Sequence, residues 1–389
     1  MEKQVRECFA RTFGEEGNFV CVRAPGRVNL IGEHTDYQGG YVFPIAVDRF
    51  IYCCGRRRSD EQVRIHSMTY GHLFETHSRA QLTRREDMLW VNYVLGVMRE
   101  FQRGRELPGF DLAVGGDVPV ASGLSSSAAL EIAAAVFLTT LLEVDMPPLE
   151  IIKLARRAEN EFVGVNCGIM DQFSSYLCRK EHALLLNCDT LEYEHVPMRT
   201  GAYSFLLVDT LRERSLASST YNRRVREVTE ALDGIRRLHP DVRSLGEVNT
   251  SQLSVLQDAM APVPMARAQH VVTENERVLK AVSCLQDGDM RRFGSLLYES
   301  HESLREKYEV SCEELDFIVD FAQSSAGVAG ARLTGAGFGG CCLVLIRGDA
   351  IARFEKDLAP EYERTFRRRP RFYEVHSADG AFYEGGNHG

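Results

Sequence analysis

The segment from Ser126 to Glu143 constrains the fold more than any other part of the chain. Its residues, SSAALEIAAAVFLTTLLE, are apolar on almost every side of a 3.6-residue helix. Such a helix is buried by other elements instead of lying on a surface. Pro147-Pro148 stops it. A chain of 389 residues, 44% hydrophobic, has the material to enclose it, and the length suits two domains.

The surrounding pattern is mixed. Strands are expected at 18–24 and 50–55, with a glycine-rich loop and another strand around Tyr41 to Val47 between them. Further strands are expected at 110–114, 182–188, 203–209 and 371–375. A helix over Leu149 to Val163 carries Ile151, Ala155, Ala158 and Phe162 on one stripe. Long helices follow at roughly 218–238, 265–286, 289–307 and 311–325, before a glycine-rich turn and strand at 330–346. Strands and helices without regular alternation predict an α/β chain of the α+β type. Two lobes, 1–200 and 201–389, would enclose a substrate cleft.

The balance of 46 basic against 55 acidic residues, net −9, excludes a general nucleic-acid or membrane-surface binder. Residues 1–20 lack the apolar core of a secretory signal, and no apolar run reaches the roughly 18 residues of a membrane span. Eleven cysteines without zinc-like CxxC spacing are expected as reduced thiols of a cytoplasmic protein, taken as a monomer.

The buried helix is preceded by DVPVASGLSSSAA, residues 117–129. Gly123 frees the backbone, and Ser125, Ser126 and Ser127 bring amides and hydroxyls to the helix start, where free N–H groups and the dipole attract a phosphate. Serines can also simply cap a helix. The loop has no lysine or arginine, and the Walker pattern is absent. A divalent cation would supply the missing charge, with the Ser127 hydroxyl and Glu159 as ligands. Glu159 has an equal alternative: a carboxylate at the edge of its helical stripe that meets water or Arg156. Gly335, Gly337 and Gly340 fit GxGxxG, but Cys341 to Ile346 reads as a strand, so the loop is a strand-to-strand turn and not a dinucleotide site.

Near the N-terminus, RAPGRVNLIGEHTDYQGG places Glu33, His34 and Asp36 between glycines. Short polar groups at that spacing can each meet a different hydroxyl of a polyol, or simply form a polar turn. Arg27 suits an oxyanion or a surface ion pair. Asp171, in NCGIMDQFSS, stands at a helix start, where it either steadies the dipole or takes a proton from a substrate hydroxyl.

These stretches resemble one family. GRVNLIGEHTDY is similar to the galactokinase signature. PVASGLSSSAA resembles the phosphate loop of the wider GHMP kinase family, which includes homoserine, mevalonate and phosphomevalonate kinases, and LTGAGFGGC resembles its third motif. NCGIMDQF and HVVTENERV also match galactokinases. The resemblance implies the two-lobed GHMP kinase fold, with ATP and D-galactose giving galactose 1-phosphate and ADP in the interlobe cleft. It implies Asp171 as base and Arg27 as transition-state stabiliser that keeps the aspartate ionised. Glu33, His34, Thr35, Asp36, Gly168 and Tyr221 would hold the sugar. Ala121, Ser122, Gly123, Leu124, Ser125, Ser126 and Ser127 would cradle the triphosphate, Ser127 and Glu159 would bind Mg²⁺, and Ser67 and Trp90 would flank the adenine.

Two places depart from the family pattern: Gln38 stands where galactokinases usually have Asn, and Asp209-Thr210-Leu211 replaces an Asn or Ser followed by a small residue and Val. Rival readings are a kinase for N-acetylgalactosamine or arabinose, and a non-catalytic galactose sensor. Such sensors lack the serine-alanine pair present here as Ser127-Ala128.

Overall fold

The computed structural model describes residues 1–15, 19–119, 123–212, 217–255 and 260–383. The calls on Ala121 and Ser122 lie outside them. The helix Ser126–Leu141 forms as its composition demands, with Ala129, Ile132, Ala133, Phe137 and Leu138 almost fully buried.

A six-stranded sheet lies against it. β1 (Val20–Asn29) pairs antiparallel with β3 (Pro44–Arg57), and β3 with β6 (Phe110–Gly116). β4 (Gln62–Ser67) runs parallel to β6 and carries β5 (Leu73–His77) on its far edge. β13 (Phe382–Tyr383), from the far end of the chain, pairs with the outer edge of β1. A three-stranded sheet orders β2 (Tyr41–Val42), β7 (His182–Asn187) and β8 (Tyr193–Pro197). A four-stranded sheet orders β10 (Val328–Leu333), β11 (Cys341–Arg347), β9 (Tyr203–Asp209) and β12 (Arg371–Val375). A shared apolar core, including Val28, Leu30, Phe43, Leu207, Val278 and Leu343, joins the first and last of these sheets. Burial of that much apolar surface holds these two sheets against each other.

Several expectations are corrected. The strands expected at 41–47 and 50–55 are largely one strand, β3, because Pro44 to Arg57 pairs on both sides with β1 and β6. The helix expected to 163 changes winding: Pro148–Arg157 is α-helical, and Ala158–Val163 is a π-helix. A second π-turn, Leu304–Tyr308, closes the helix Met290–Ser303. Helices at Glu2–Phe13, Val91–Gln102 and Ile351–Phe366 are additional, though Val5, Cys8, Phe9 and Phe13 already show helical spacing. The thiols are not all free, since Cys21 and Cys54, cross-strand partners in β1 and β3, form a disulfide. The turn between β10 and β11 is a strand-to-strand turn, as its sequence implied. Among the described residues, no helix is long and apolar enough to cross a membrane.

Candidate active site

β1 ends at the polar loop 30–43, and Gly26, near its middle, decides how closely it meets the serine loop. A Cβ at Gly26 would stand 2.8 Å from the Leu124 carbonyl, and the Arg27 amide donates to that carbonyl at 3.1 Å. The Arg27 side chain is therefore held against the helix start. Its Nη1 donates to the Gly123 carbonyl at 2.7 Å, and its Nε and Nη2 both reach Asp171 Oδ1 at 2.7 Å. The other Asp171 oxygen accepts from Ser125 Oγ at 2.5 Å. Ser125 adopts a left-handed backbone, φ 53°, and its side chain caps no helix amide. It serves Asp171 instead. The positive charge absent from the serine loop thus comes, at least in part, from Arg27 on a neighbouring strand.

Two cavities meet here. The smaller, about 260 Å³, is walled by Glu33, His34, Asp36, Gly168 and Tyr221. The larger, about 490 Å³, is walled by Ser67, Tyr70, Trp90 and the 123–127 turn. Arg27, Asp171, Gly335 and Ala336 line both. Asp171 and the serine turn therefore face one continuous cleft.

In the smaller cavity Glu33 is almost fully buried and already crowded. Asn29 Nδ2 donates to it at 2.6 Å, Thr334 Oγ1 at 3.1 Å and the Gly335 amide at 2.8 Å, and Arg332 makes an ion pair with it. Burial raises its pKa, and Arg332 opposes the rise. His34, at φ 62°, places Nε2 3.3 Å from the Ala336 carbonyl and Nδ1 2.8 Å from Tyr37 Oη. A carbonyl only accepts, so Nε2 carries the hydrogen and Tyr37 donates to Nδ1. Burial holds this imidazole neutral, with its pKa lowered to about 3. Burial, followed by the charge of Asp171, raises Asp36 from 3.8 to about 7.

One call changes. Thr35 is fully buried and lines neither cavity; its hydroxyl donates to the Gly32 and Tyr41 carbonyls and shapes the loop. Gly168 lines the smaller cavity, and the place of its absent side chain is taken by Asp36, whose Oδ2 would lie 1.8 Å from an added Cβ.

Beside the larger cavity, Tyr70 stacks on Trp90 at 6.3 Å and 17°, and the buried Trp90 Nε1 has no partner. Ser67 Oγ accepts from the Tyr70 amide at 3.2 Å. Glu159 sits on the π-turn, buried, and receives hydrogen bonds from Gln172 Nε2 at 2.7 Å and Cys167 Sγ at 3.2 Å. The Ser127 hydroxyl lies near enough to favour its charged form, so Glu159 stands among polar side chains inside the protein and not at a solvated helix edge.

The galactokinase galactose-binding signature matches residues 7–57, and the N- and C-terminal GHMP kinase domain models match 92–179 and 281–363. A galactokinase of Thermotoga neapolitana is 44% identical over 92% of this chain and 98% of its own length. The Bacillus subtilis galactokinase is 38% identical over 98% of both chains. The chain belongs to the galactokinase family. Lactococcus lactis galactokinase complexed with galactose superposes with TM-score 0.92 at 37% identity, covering 98% of this chain and 99% of that one. A mevalonate kinase, 19% identical with TM-score 0.64 over 92% of this chain and 99% of its own, shares the fold. As a member of this family the chain is an ATP-dependent sugar kinase.

Some residues of this kinase site escaped the sequence reading. Arg332 on β10, fully buried, donates to the Leu30 carbonyl at 2.9 Å and anchors Glu33. Glu131 is fully buried beside Glu159 and shares the Gln172 amide with it at 3.0 Å. Burial, then the charge of Glu159, raises its pKa far above the ordinary value. Its signal was visible, since it is the one charged residue in Ser126–Leu141. Tyr37 and Tyr308, hydrogen-bonded at 2.8 Å behind His34, carried no such signal.

Proposed function

We propose that the protein transfers the γ-phosphate of ATP to the anomeric hydroxyl of D-galactose. The supporting observation is the position of Asp171: it lines both cavities, with Arg27 on one oxygen and Ser125 on the other. Phosphoryl transfer asks chiefly for positioning and charge stabilisation. In this reading the sugar occupies the smaller cavity, bordered by Glu33, His34, Asp36 and Tyr221, and Asp171 accepts or orients the proton of the C1 hydroxyl. The nucleotide occupies the larger cavity, with its base against Trp90, Tyr70 and Ser67. Its phosphates lie on the 123–127 turn, whose first-turn amides no side chain caps. Arg27 steadies charge developing on the transferred group.

A magnesium ion fits the donors present. A hydroxyl and a carboxylate near one another, Ser127 and Glu159, offer the hard oxygen pair that Mg²⁺ takes together with phosphate oxygens. When bound, the ion would neutralise phosphate charge.

The deciding experiment is a sugar panel with ATP and magnesium in a coupled ADP assay. Turnover with galactose well above that with its 2-acetamido analogue or arabinose is expected. Preference for another sugar would overturn the substrate assignment.

Two further outcomes follow from the sugar cavity. Asp36 has a folded pKa above its unfolded one, so the fold favours its protonated form. That contribution to stability is present at low pH and is lost as pH rises through about 7. Hydroxyl binding needs the opposite form, the carboxylate. The KM for galactose therefore falls as pH rises through about 7, and Asp36→Asn flattens that limb. A KM profile unchanged by the substitution would count against Asp36. In Gly168→Ala the new methyl displaces the Asp36 carboxylate, an overpacking worth about 1–3 kcal/mol. The galactose KM should rise roughly tenfold or more while ATP affinity holds. An unchanged KM would show that the loop yields without cost.

A further inference from the structure

Behind Asp36 lies a groove that the reaction does not use. It consists of two hollows of about 470 and 370 Å³ that share Arg156, Ile169, Cys188 and Asp189. Asp36 lines both the second hollow and the sugar cavity.

Three polar groups in or just behind the wall of this groove lack adequate partners, and Gln38 and Ser244 must turn their side chains to meet a ligand there. Arg156, half-buried on the helix Pro148–Arg157, has no carboxylate within 4.0 Å among the described residues; its hydrogen bond to the Cys167 carbonyl is a long 3.4 Å. Gln38 and Ser244 are each only 6% exposed, yet Gln38 Oε1 and Ser244 Oγ have no hydrogen-bond partner. Both residues line the second hollow. Two of the acids that line it are engaged: Asp189 accepts from Arg243 at 3.1 Å, and Glu161 from Arg103 at 2.7 Å. Asp36, the third, has no basic side chain within 4.0 Å among the described residues. Lys153, one turn before Arg156, lines the first hollow.

Buried polar groups left unpaired are costly, so native structures satisfy nearly all of them. The three groups ask for different things. A guanidinium matches the oxygens of a phosphate. A side-chain amide oxygen accepts only, so it needs a donor, which a fully ionised inorganic anion does not offer. A hydroxyl can serve either way.

We propose that this groove binds a small hydroxylated anion, a phosphate monoester of a polyol, with its phosphate on Arg156 and Lys153 and its hydroxyls toward Gln38 and Ser244. Because Asp36 separates this ligand from the sugar cavity, the two ligands are coupled reciprocally. The negative charge placed behind Asp36 weakens galactose binding; this last step rests on the galactose assignment above, whereas the groove itself does not.

The test is a calorimetric titration of glycerol 3-phosphate into the full-length protein, without galactose. The nucleotide site is filled by a non-hydrolysable ATP analogue with magnesium, so that the serine turn cannot take the phosphate. One saturable site is expected, with glycerol alone and inorganic phosphate both binding more weakly. Arg156→Gln should weaken binding roughly tenfold or more, the scale of a charge-assisted contact. Lys153→Gln, at an exposed position that leaves folding intact, should weaken it less, and Ser244→Ala should abolish the advantage of glycerol 3-phosphate over inorganic phosphate. No saturable binding would mean that the groove holds water only. Binding equal in Arg156→Gln, Lys153→Gln and the parent protein would place the anion elsewhere. Either result overturns the proposal, and neither bears on galactose phosphorylation, because no turnover is read.

Discussion

Asp171→Asn is expected to reduce phosphoryl transfer by about 10⁴-fold, the upper range for a lost general base, while ATP still binds. The substitution is nearly isosteric, and the existing partners accommodate it. Arg27 donates only to Oδ1, so the amide oxygen can take that place. Ser125 Oγ, 2.5 Å from Oδ2, can turn from donor to acceptor for the new amide N–H. The fold, the loop and the arginine therefore keep their places, and what is lost is the capacity to accept the proton of the sugar hydroxyl. Single-turnover transfer, with nucleotide affinity measured separately, reads the difference. Retention of most of the rate would mean that the aspartate is not the base, and that Arg27 and bound metal carry the reaction.

Arg27→Met should lower turnover by roughly 10²–10³-fold, the scale of removing a preorganised donor from a developing charge. Methionine fills a similar length of cleft but donates nothing. It leaves the Gly123 carbonyl without its 2.7 Å partner and Asp171 held by Ser125 alone. Arg27→Lys should fall between, because one ammonium cannot serve both Asp171 and the Gly123 carbonyl with the fixed fork of a guanidinium. The effect belongs in kcat, since the charge that Arg27 meets grows only as the phosphoryl group moves. A change confined to the galactose KM would assign Arg27 to substrate binding.

Much of this site was legible from residue type and spacing. The apolar run after Ser126 dictated a buried helix, and the glycine and serines before it marked the turn at its start, because both depend on neighbours in the chain. GRVNLIGEHTDY and CGIMDQF pointed to the chemistry and to the family by the same local logic. The β10–β11 turn was legible as well, since a strand follows its glycines.

Contacts across the fold were not legible. Residue type and spacing near Arg27 do not announce Asp171, 144 positions away, which only the family resemblance brought beside it, and nothing announced the Gly123 carbonyl. Gly168 looked like room for a ligand, and only the folded loop shows Asp36 in that space. Thr35 sits inside the signature and yet turns to the backbone. Glu159 could have reached water until the π-turn buried it beside Cys167 and Gln172.

By itself the sequence determined which segments must be buried and which backbone stretches can hold an anion, because both follow from local periodicity and the steric freedom of glycine. The tertiary structure fixed which charges meet and at what distance. Electrostatic pairing depends on distance and on exclusion of water, and both are set by the packing of strands and helices far apart in the chain.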